Sequence, residues 1–256
     1  MNSESDIKNI IKRFHPVTLD QMDSVKLMKR TDTKFVFNIK YLPELLQFAS
    51  ENYLILEINE IREQKYETTY FDTEKYTMYT SHHNGKLNRH KVRIRKYVSS
   101  DQEFLEVKKK NNREETIKNR IQHSFTDQLD CSDQGNKFLE KYTPYNPGHL
   151  GPKLGNSFIR LTLVSKQFNE RITIDYNLNF KDLTHDKSIS AKSVCIAEIK
   201  RNKDQKESPF LEKLNQMKIQ SSGFSKYCFG LAMLSPDVKT NLFKQKMKKL
   251  EKIITI

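Results

Sequence analysis

Between residues 90 and 200 the chain repeatedly alternates apolar with charged residues at a period of two. His90–Tyr97 places Lys91, Arg93 and Arg95 on one side, with Val92 and Ile94 on the other. Phe104–Lys110 sets Glu106, Lys108 and Lys110 against Leu105 and Val107. Lys118 with Arg120, the run Arg171–Asp175 and the run Ile196–Lys200 repeat the arrangement. Successive side chains of a strand point to opposite faces, so each segment has one greasy face and one mainly cationic face. A single strand of this kind is the solvated face of a sheet. Several in one chain point to charged faces converging on an anion.

The same patterning predicts strands near 34–37, 54–62, 65–71, 90–98, 103–110, 117–124, 157–166, 169–176 and 193–201, with turns at Asn84-Gly85 and Ser99–Asp101. Ile7, Ile10, Ile11 and Phe14 have helical spacing, broken by His15-Pro16. Thr18 and Gln21 form a capping box for a second helix from Leu19. Leu42, Leu45, Leu46 and Ala49 share one face of a helix over 41–51, and a short helix is expected near 133–142. A Pro/Gly-rich loop follows to Gly155, and Ser208-Pro209 and Ser235-Pro236 each read as a cap opening a helix. The last of these carries Leu242, Phe243, Met247, Leu250 and Ile254 along one face, surrounded by lysines; packing over a tunnel end is its expected use, with a membrane-surface helix as the alternative. The expected fold is α+β: one domain over 1–256, a closed antiparallel barrel of about eight strands (25–234) forming a tunnel with helices outside. Helices over 1–24, a helical and loop insertion over 126–156 and a C-terminal helix over 235–256 complete it. A lumen holding so many like charges must be wet and must expect an anion.

Composition sharpens this. The 256 residues include 45 Lys/Arg and 32 Asp/Glu, a formal charge of +13, and residues 86–120 alone hold twelve basic against five acidic residues. Such a field favours polyanions. Cys131, Cys195 and Cys228 lack paired spacing, which argues for a reducing, cytoplasmic setting and against a zinc ribbon or disulfide framework. The longest apolar run, Phe229–Leu234, is too short to span a bilayer. No phosphate loop, dinucleotide fingerprint or kinase catalytic loop is found, so any use of ATP proceeds without a P-loop. His82, His83 and His90 have no metal-ligand spacing, and Tyr70, Phe71, Tyr76 and Tyr79 read as packing residues. Nucleic acid is not the expected partner, because the cations sit at strand period and not on an exposed arm or recognition helix.

An ordered set of short motifs then carries a resemblance: Arg30–Phe35, Tyr66–Thr73, Lys91–Arg95, Phe104–Lys108, Lys118–Arg120, Ala197–Lys200 and Phe224–Tyr227. In order and approximate spacing, over residues 25 to 234, the chain resembles the VTC (polyphosphate polymerase) domain of the CYTH, or triphosphate tunnel, group. The resemblance implies a basic tunnel that binds a triphosphate or polyphosphate with Mg²⁺ or Mn²⁺. It implies phosphotransfer: the γ-phosphoryl group of a nucleoside triphosphate passes to a polyphosphate chain, which leaves through the far mouth. Carried over, the phosphate-binding residues are Lys34, Arg93, Arg95, Lys108, Lys118, Arg120, Arg160, Arg171, Lys200, Ser225 and Lys226. Lys34, Arg93, Arg95, Lys108 and Glu198 would be catalytic, with Glu198 and Glu106 on the metal.

Three departures bear on activity, one being that His82 or His83 stands where a basic residue is expected before the Arg93-x-Arg95 strand. The acidic Glu-x-Glu-x-Lys opening of the group's hydrolases is here Arg30-Thr31-Asp32-Thr33-Lys34, one carboxylate in place of two, which favours the polymerase branch. A basic residue expected two before Ser225-Lys226 is Gly223. The alternatives are an inorganic triphosphatase of the same fold, with Glu106 or Asp32 activating water, and a non-catalytic module binding polyphosphate or inositol phosphate, attached to a membrane-protein partner.

Overall fold

The computed structural model describes residues 3–23, 30–113, 115–123, 133–205 and 207–255; Cys131 and the start of the expected insertion lie outside them. Among the described residues eleven strands form one sheet: β1 (Pro16–Val17), β2 (Arg30–Asn38), β3 (Tyr53–Leu56), β4 (Gln64–Thr73), β5 (Arg89–Tyr97), β6 (Gln102–Lys110), β7 (Thr116–His123), β8 (Leu150–Ser165), β9 (Glu170–Asp182), β10 (Lys187–Ala191) and β11 (Val194–Asn202). The helices are α1 (Ser3–Ile11), α2 (Leu19–Asp23), α3 (Leu42–Asn52), α4 (Thr77–His83), α5 (Asp133–Tyr142), α6 (Pro209–Gln216), α7 (Lys226–Leu234) and α8 (Lys244–Thr255). None is long and apolar enough to cross a membrane among the described residues.

Eight strands run in the order β2-β11-β9-β8-β4-β5-β6-β7, every neighbouring pair antiparallel. The expected closed barrel does not form among the described residues. Among the described residues β2 and β7 do not pair, so the sheet is open. The free edge of β2 is covered instead by the chain before α7: Phe35 bridges Ser221, and the Ser222 N–H donates to the Lys34 carbonyl at 2.7 Å. An edge satisfied in this way has no need of a closing strand. The sheet is nevertheless strongly curled. Lys108 on β6 and Glu198 on β11 feel each other's charge although four strands stand between them. In a flat sheet five strand spacings would hold them about 24 Å apart.

The convex face is the apolar one. Phe35, Phe37, Leu161, Leu163, Ile172, Ile174, Ala197 and Ile199 pack against α1, α3 and α6, and Val92, Ile94, Leu105 and Val107 pack against α5. The charged alternates of the same strands therefore line the concave face. Not every helix is outside, however. α7 lies across one end of the concave face, its Tyr227, Phe229 and Leu231 packed with Tyr70, Leu154, Phe158, Leu178 and Ile196. Gly230 permits this approach, because a Cβ there would meet Leu154 at 2.6 Å and Phe180 at 2.8 Å. The expected through-tunnel thus has one end filled by a helix.

Local expectations met mixed outcomes. The Thr18–Gln21 capping box forms, the Thr18 N–H donating to Gln21 Oε1 at 2.9 Å, and Ser208 caps α6 by accepting from the Leu211 N–H. Ser235-Pro236 opens no helix. Ser235 ends α7, and the C-terminal helix begins only at Lys244. β8 starts at Leu150, inside the expected Pro/Gly loop, because its pairing with β4 tolerates Pro152 at a bulge. The strand expected over 54–62 ends at Leu56. α4 has no counterpart among the sequence expectations. It is nucleated by Asp72, fully buried, which accepts from the N–H groups of Met78 and Tyr79 and from the Tyr227 hydroxyl.

Candidate phosphate-binding site

Strand register decides which cations meet. Lys91, Lys108 and Lys118 stand directly opposite one another across β5, β6 and β7, and the next row is Tyr70, Arg93, Glu106 and Arg120. Like charges directly opposite are destabilising, so the lysine row is a cost that the fold alone does not explain. Glu106 relieves part of it. It is 0% exposed, accepts from Arg93 Nε at 2.7 Å and pairs with Lys118. Although burial works against its charge, Arg93, Arg95 and Lys118 hold its carboxyl down at about 2. Lys108 lies well below the ordinary lysine value, through the nearby Arg93 charge first, then burial, then Arg95. Lys91 is pushed down to about 8 by burial and by Lys34, Arg89 and Arg93. Lys109, the intervening residue, points outward and is exposed.

Across the groove a second cluster forms on β8 and β9. Arg160 grips Asp175 with both Nε (2.6 Å) and Nη2 (2.8 Å), and Lys226, at the start of α7, pairs with the same carboxylate. Asp175 is 3% exposed, and its carboxyl is held down to about 2 against the penalty of burial by Arg160 and Lys226. Arg95 and Arg160 both lie over the stacked rings of Tyr66 and Phe158, at 5.2–5.7 Å from the centroids. Cation–π contact thus stabilises two arginines that repel each other. Arg95 otherwise bonds Thr68 Oγ1, and Arg120 covers the Phe104 ring at 4.5 Å.

The third cluster is on β2 and β11. Glu198 faces Lys34 in register, with Oε1 3.3 Å from Lys34 Nζ and 3.0 Å from Lys200 Nζ; Lys200 also reaches Asp32 at 2.7 Å. Lys200, Lys34 and Arg160 hold the Glu198 carboxyl far below the usual range despite its burial. Arg171 stands opposite Lys200 on β9. Ser225 caps α7, its Oγ accepting from the Cys228 N–H at 3.3 Å and from Lys91 Nζ at 2.9 Å. Every expected site residue therefore lies on the concave face or at the helix start that enters it. Sequence reasoning gave no site role to Asp175, Tyr66 or Phe158. Asp175 stands in one of the alternating runs, and only its register partner Arg160 reveals its use.

The model of the VTC domain matches residues 29–235, most of the chain and the whole of this constellation.

The protein belongs to the VTC domain family.

No curated protein matches the chain by sequence. Among solved structures, a candidate adenylyl cyclase from Hippeastrum with a dominant triphosphatase activity is 14% identical at a TM-score of 0.51, covering 82% of this chain and 99% of that one. Candidate adenylate cyclases of Bacillus halodurans (12%, TM-score 0.49, 77% and 96%) and Vibrio parahaemolyticus (11%, 0.46, 78% and 97%) also align. The likeness to the Hippeastrum protein is one of fold. Among the described residues no group of three or more His, Cys, Asp or Glu side chains could hold a metal ion. Glu106 does not fit, since Arg93 and Lys118 occupy its carboxylate. Glu198 does: its partners are lysines that an arriving phosphate can take over, and Mg²⁺ needs only one or two carboxylates when substrate oxygens complete its shell.

Proposed function

We propose that this VTC domain is a metal-dependent polyphosphate polymerase that moves the γ-phosphoryl group of a nucleoside triphosphate onto a phosphate chain lying along the concave face. The observation that carries it is the in-register row Lys91–Lys108–Lys118 beside Arg93 and Arg95, a like-charge arrangement that an extended polyanion would neutralise. Arg95 offers a planar donor pair to phosphate oxygens, and Arg93 and Arg160 the N–H groups that Glu106 and Asp175 leave free, while Lys34, Lys108, Lys118, Lys200 and Lys226 follow the charge as it shifts. Arg120 and Arg171 extend the lining, and Ser225 Oγ offers a hydroxyl at its rim. Phosphoryl transfer asks mainly for positioning and neutralisation, which such a lining supplies. A divalent cation held by Glu198 and the substrate's own phosphates would draw charge from the transferring group. Asp32, Glu106, Asp175 and Glu198 are each bound to lysine or arginine, which favours an acceptor that is already an anion over a water needing a base.

The test is purified protein with ATP and Mn²⁺, read for phosphate chains and ADP. Glu198→Ala should abolish turnover with the fold retained, and unchanged turnover would remove Glu198 from the reaction. Free phosphate without chains, also from tripolyphosphate, would move the protein to the triphosphatase reading, the activity described for the Hippeastrum protein. Tight polyphosphate binding with no turnover under either metal would select the binding module.

A further inference from the structure

A second cationic feature lies outside the concave face. Between the end of β2, the segment 217–224 and α8 is a cavity of about 360 Å³ whose lining includes Lys40, Lys218, Lys246, Lys249 and Lys252 and no acidic residue. It adjoins the charged groove at two places. Val36, in its wall, lies two residues beyond Lys34 on the same face of β2. Lys246 Nζ stands 3.5 Å from where a Cβ on Gly223 would be, just ahead of Ser225 and Lys226. The expected loss of a basic side chain at Gly223 is thus met by an ammonium group from a different element, one that lies beyond the family-matched segment 29–235. The His82 ring senses this continuity: burial first, then the charges of Lys91, Arg89, Lys246 and Lys34, lower its pKa to about 2. α7 lies across this end of the groove, and Gly223 stands two residues before its cap, Ser225.

We propose that this lysine-lined cleft is an outer track for a phosphate chain longer than the concave face holds, joined to the groove at Lys246. The proposal rests on the phosphate-binding reading of the groove. Lys246, Lys249 and Lys252 climb α8 in steps of about 4.5 Å, so they present a line of charge and not a point. A phosphate chain suits this better than a membrane does, because the apolar side of α8 is already used. Leu250 is buried in the core with Phe229 and Phe243, and the Ile253 carbonyl accepts from Asn38 Nδ2 at 2.7 Å.

The experiment compares tripolyphosphate with long-chain polyphosphate by titration calorimetry at several salt concentrations, using the full chain and the double variant K246E/K249E. Both side chains are exposed, and the milder K246A/K249A pair guards against a folding defect. Expected is a loss of long-chain affinity at least about tenfold greater than any loss for tripolyphosphate, with a long-chain salt slope shallower by about two. Equal weakening of both ligands, or an unchanged long-chain affinity, overturns the track. So does loss of binding to phosphatidylserine vesicles with long-chain affinity retained, which would assign the lysines to a membrane. A parent protein that binds long chains through these lysines but ignores tripolyphosphate would instead refute the groove reading and leave the track standing.

Discussion

Replacing Glu106 by Gln tests whether this carboxylate is a counter-charge or a metal ligand. Gln keeps the shape and one acceptor for Arg93 but removes the charge that neutralises Arg93 and Lys118 in a fully buried position. Breaking a buried pair by neutralising one partner costs about 3–5 kcal/mol, because the remaining charge is left uncompensated. For a chain of this size that corresponds to a fall in Tm of roughly 6–20 °C. A bound phosphate chain should restore most of it, since ligand at about a thousand times its Kd contributes about 4 kcal/mol. The groove would also have lost a negative charge. At about 8 Å and an effective dielectric of about 20, that is worth roughly 2 kcal/mol for one phosphate charge, so tripolyphosphate should bind tighter by at least on the order of 30-fold. Thermal unfolding in phosphate-free buffer, with and without tripolyphosphate, reads both effects. A variant as stable as its parent without ligand, or one that binds tripolyphosphate more weakly, would refute the counter-charge reasoning. Weakened Mn²⁺ affinity would return Glu106 to the metal.

Three further outcomes are expected. Lys91, whose pKa is lowered to about 8 in the free protein, should regain ordinary basicity beside phosphate, so tripolyphosphate affinity is full below that pH and declines as pH rises toward 10.5. Calorimetry in buffers of different ionisation enthalpy should show proton uptake within that window, and an affinity flat across it would exclude the linkage. Gly230→Ala should cost about 1–3 kcal/mol by overpacking α7 against Leu154 and Phe180, and should weaken phosphate binding by displacing Lys226. Parental stability in chemical denaturation would mean that α7 can shift freely. Arg160→Lys, which retains charge but loses the two-pronged grip on Asp175, should lower Tm and raise KM for nucleotide; unaltered values would make Arg160 dispensable.

The strands and their faces were legible in the sequence because a period of two is a local property. Lys91, Arg93 and Arg95 had to share one side of β5, and Val92 and Ile94 the other, whatever the strand paired with. Helix caps at Thr18 and Ser208 were legible for the same reason, each being a bond within a few residues. Ser235 misled because the same side chain suits a helix start or the turn after a helix end. The path of the chain beyond α7 is decided by the packing of Phe243 and Leu250, far along the sequence.

Sequence alone also determined which residue types gather: a surplus of cations at strand spacing, with few carboxylates among them. Only tertiary structure decided their pairings. Register set Lys91 beside Lys108 and Lys118, gave Glu106 to Arg93 and Lys118, and made Asp175 the anchor of Arg160 and Lys226. Curl brought Lys108 into the field of Glu198, and the covered edge of β2 left the sheet open where a closed barrel was expected. Lys246 came to the empty side of Gly223 from a helix more than twenty residues away. Alternation fixes the side of a strand on which a charge emerges, but the neighbour it meets depends on strand order and curvature, which are set by long-range contacts that no local pattern encodes.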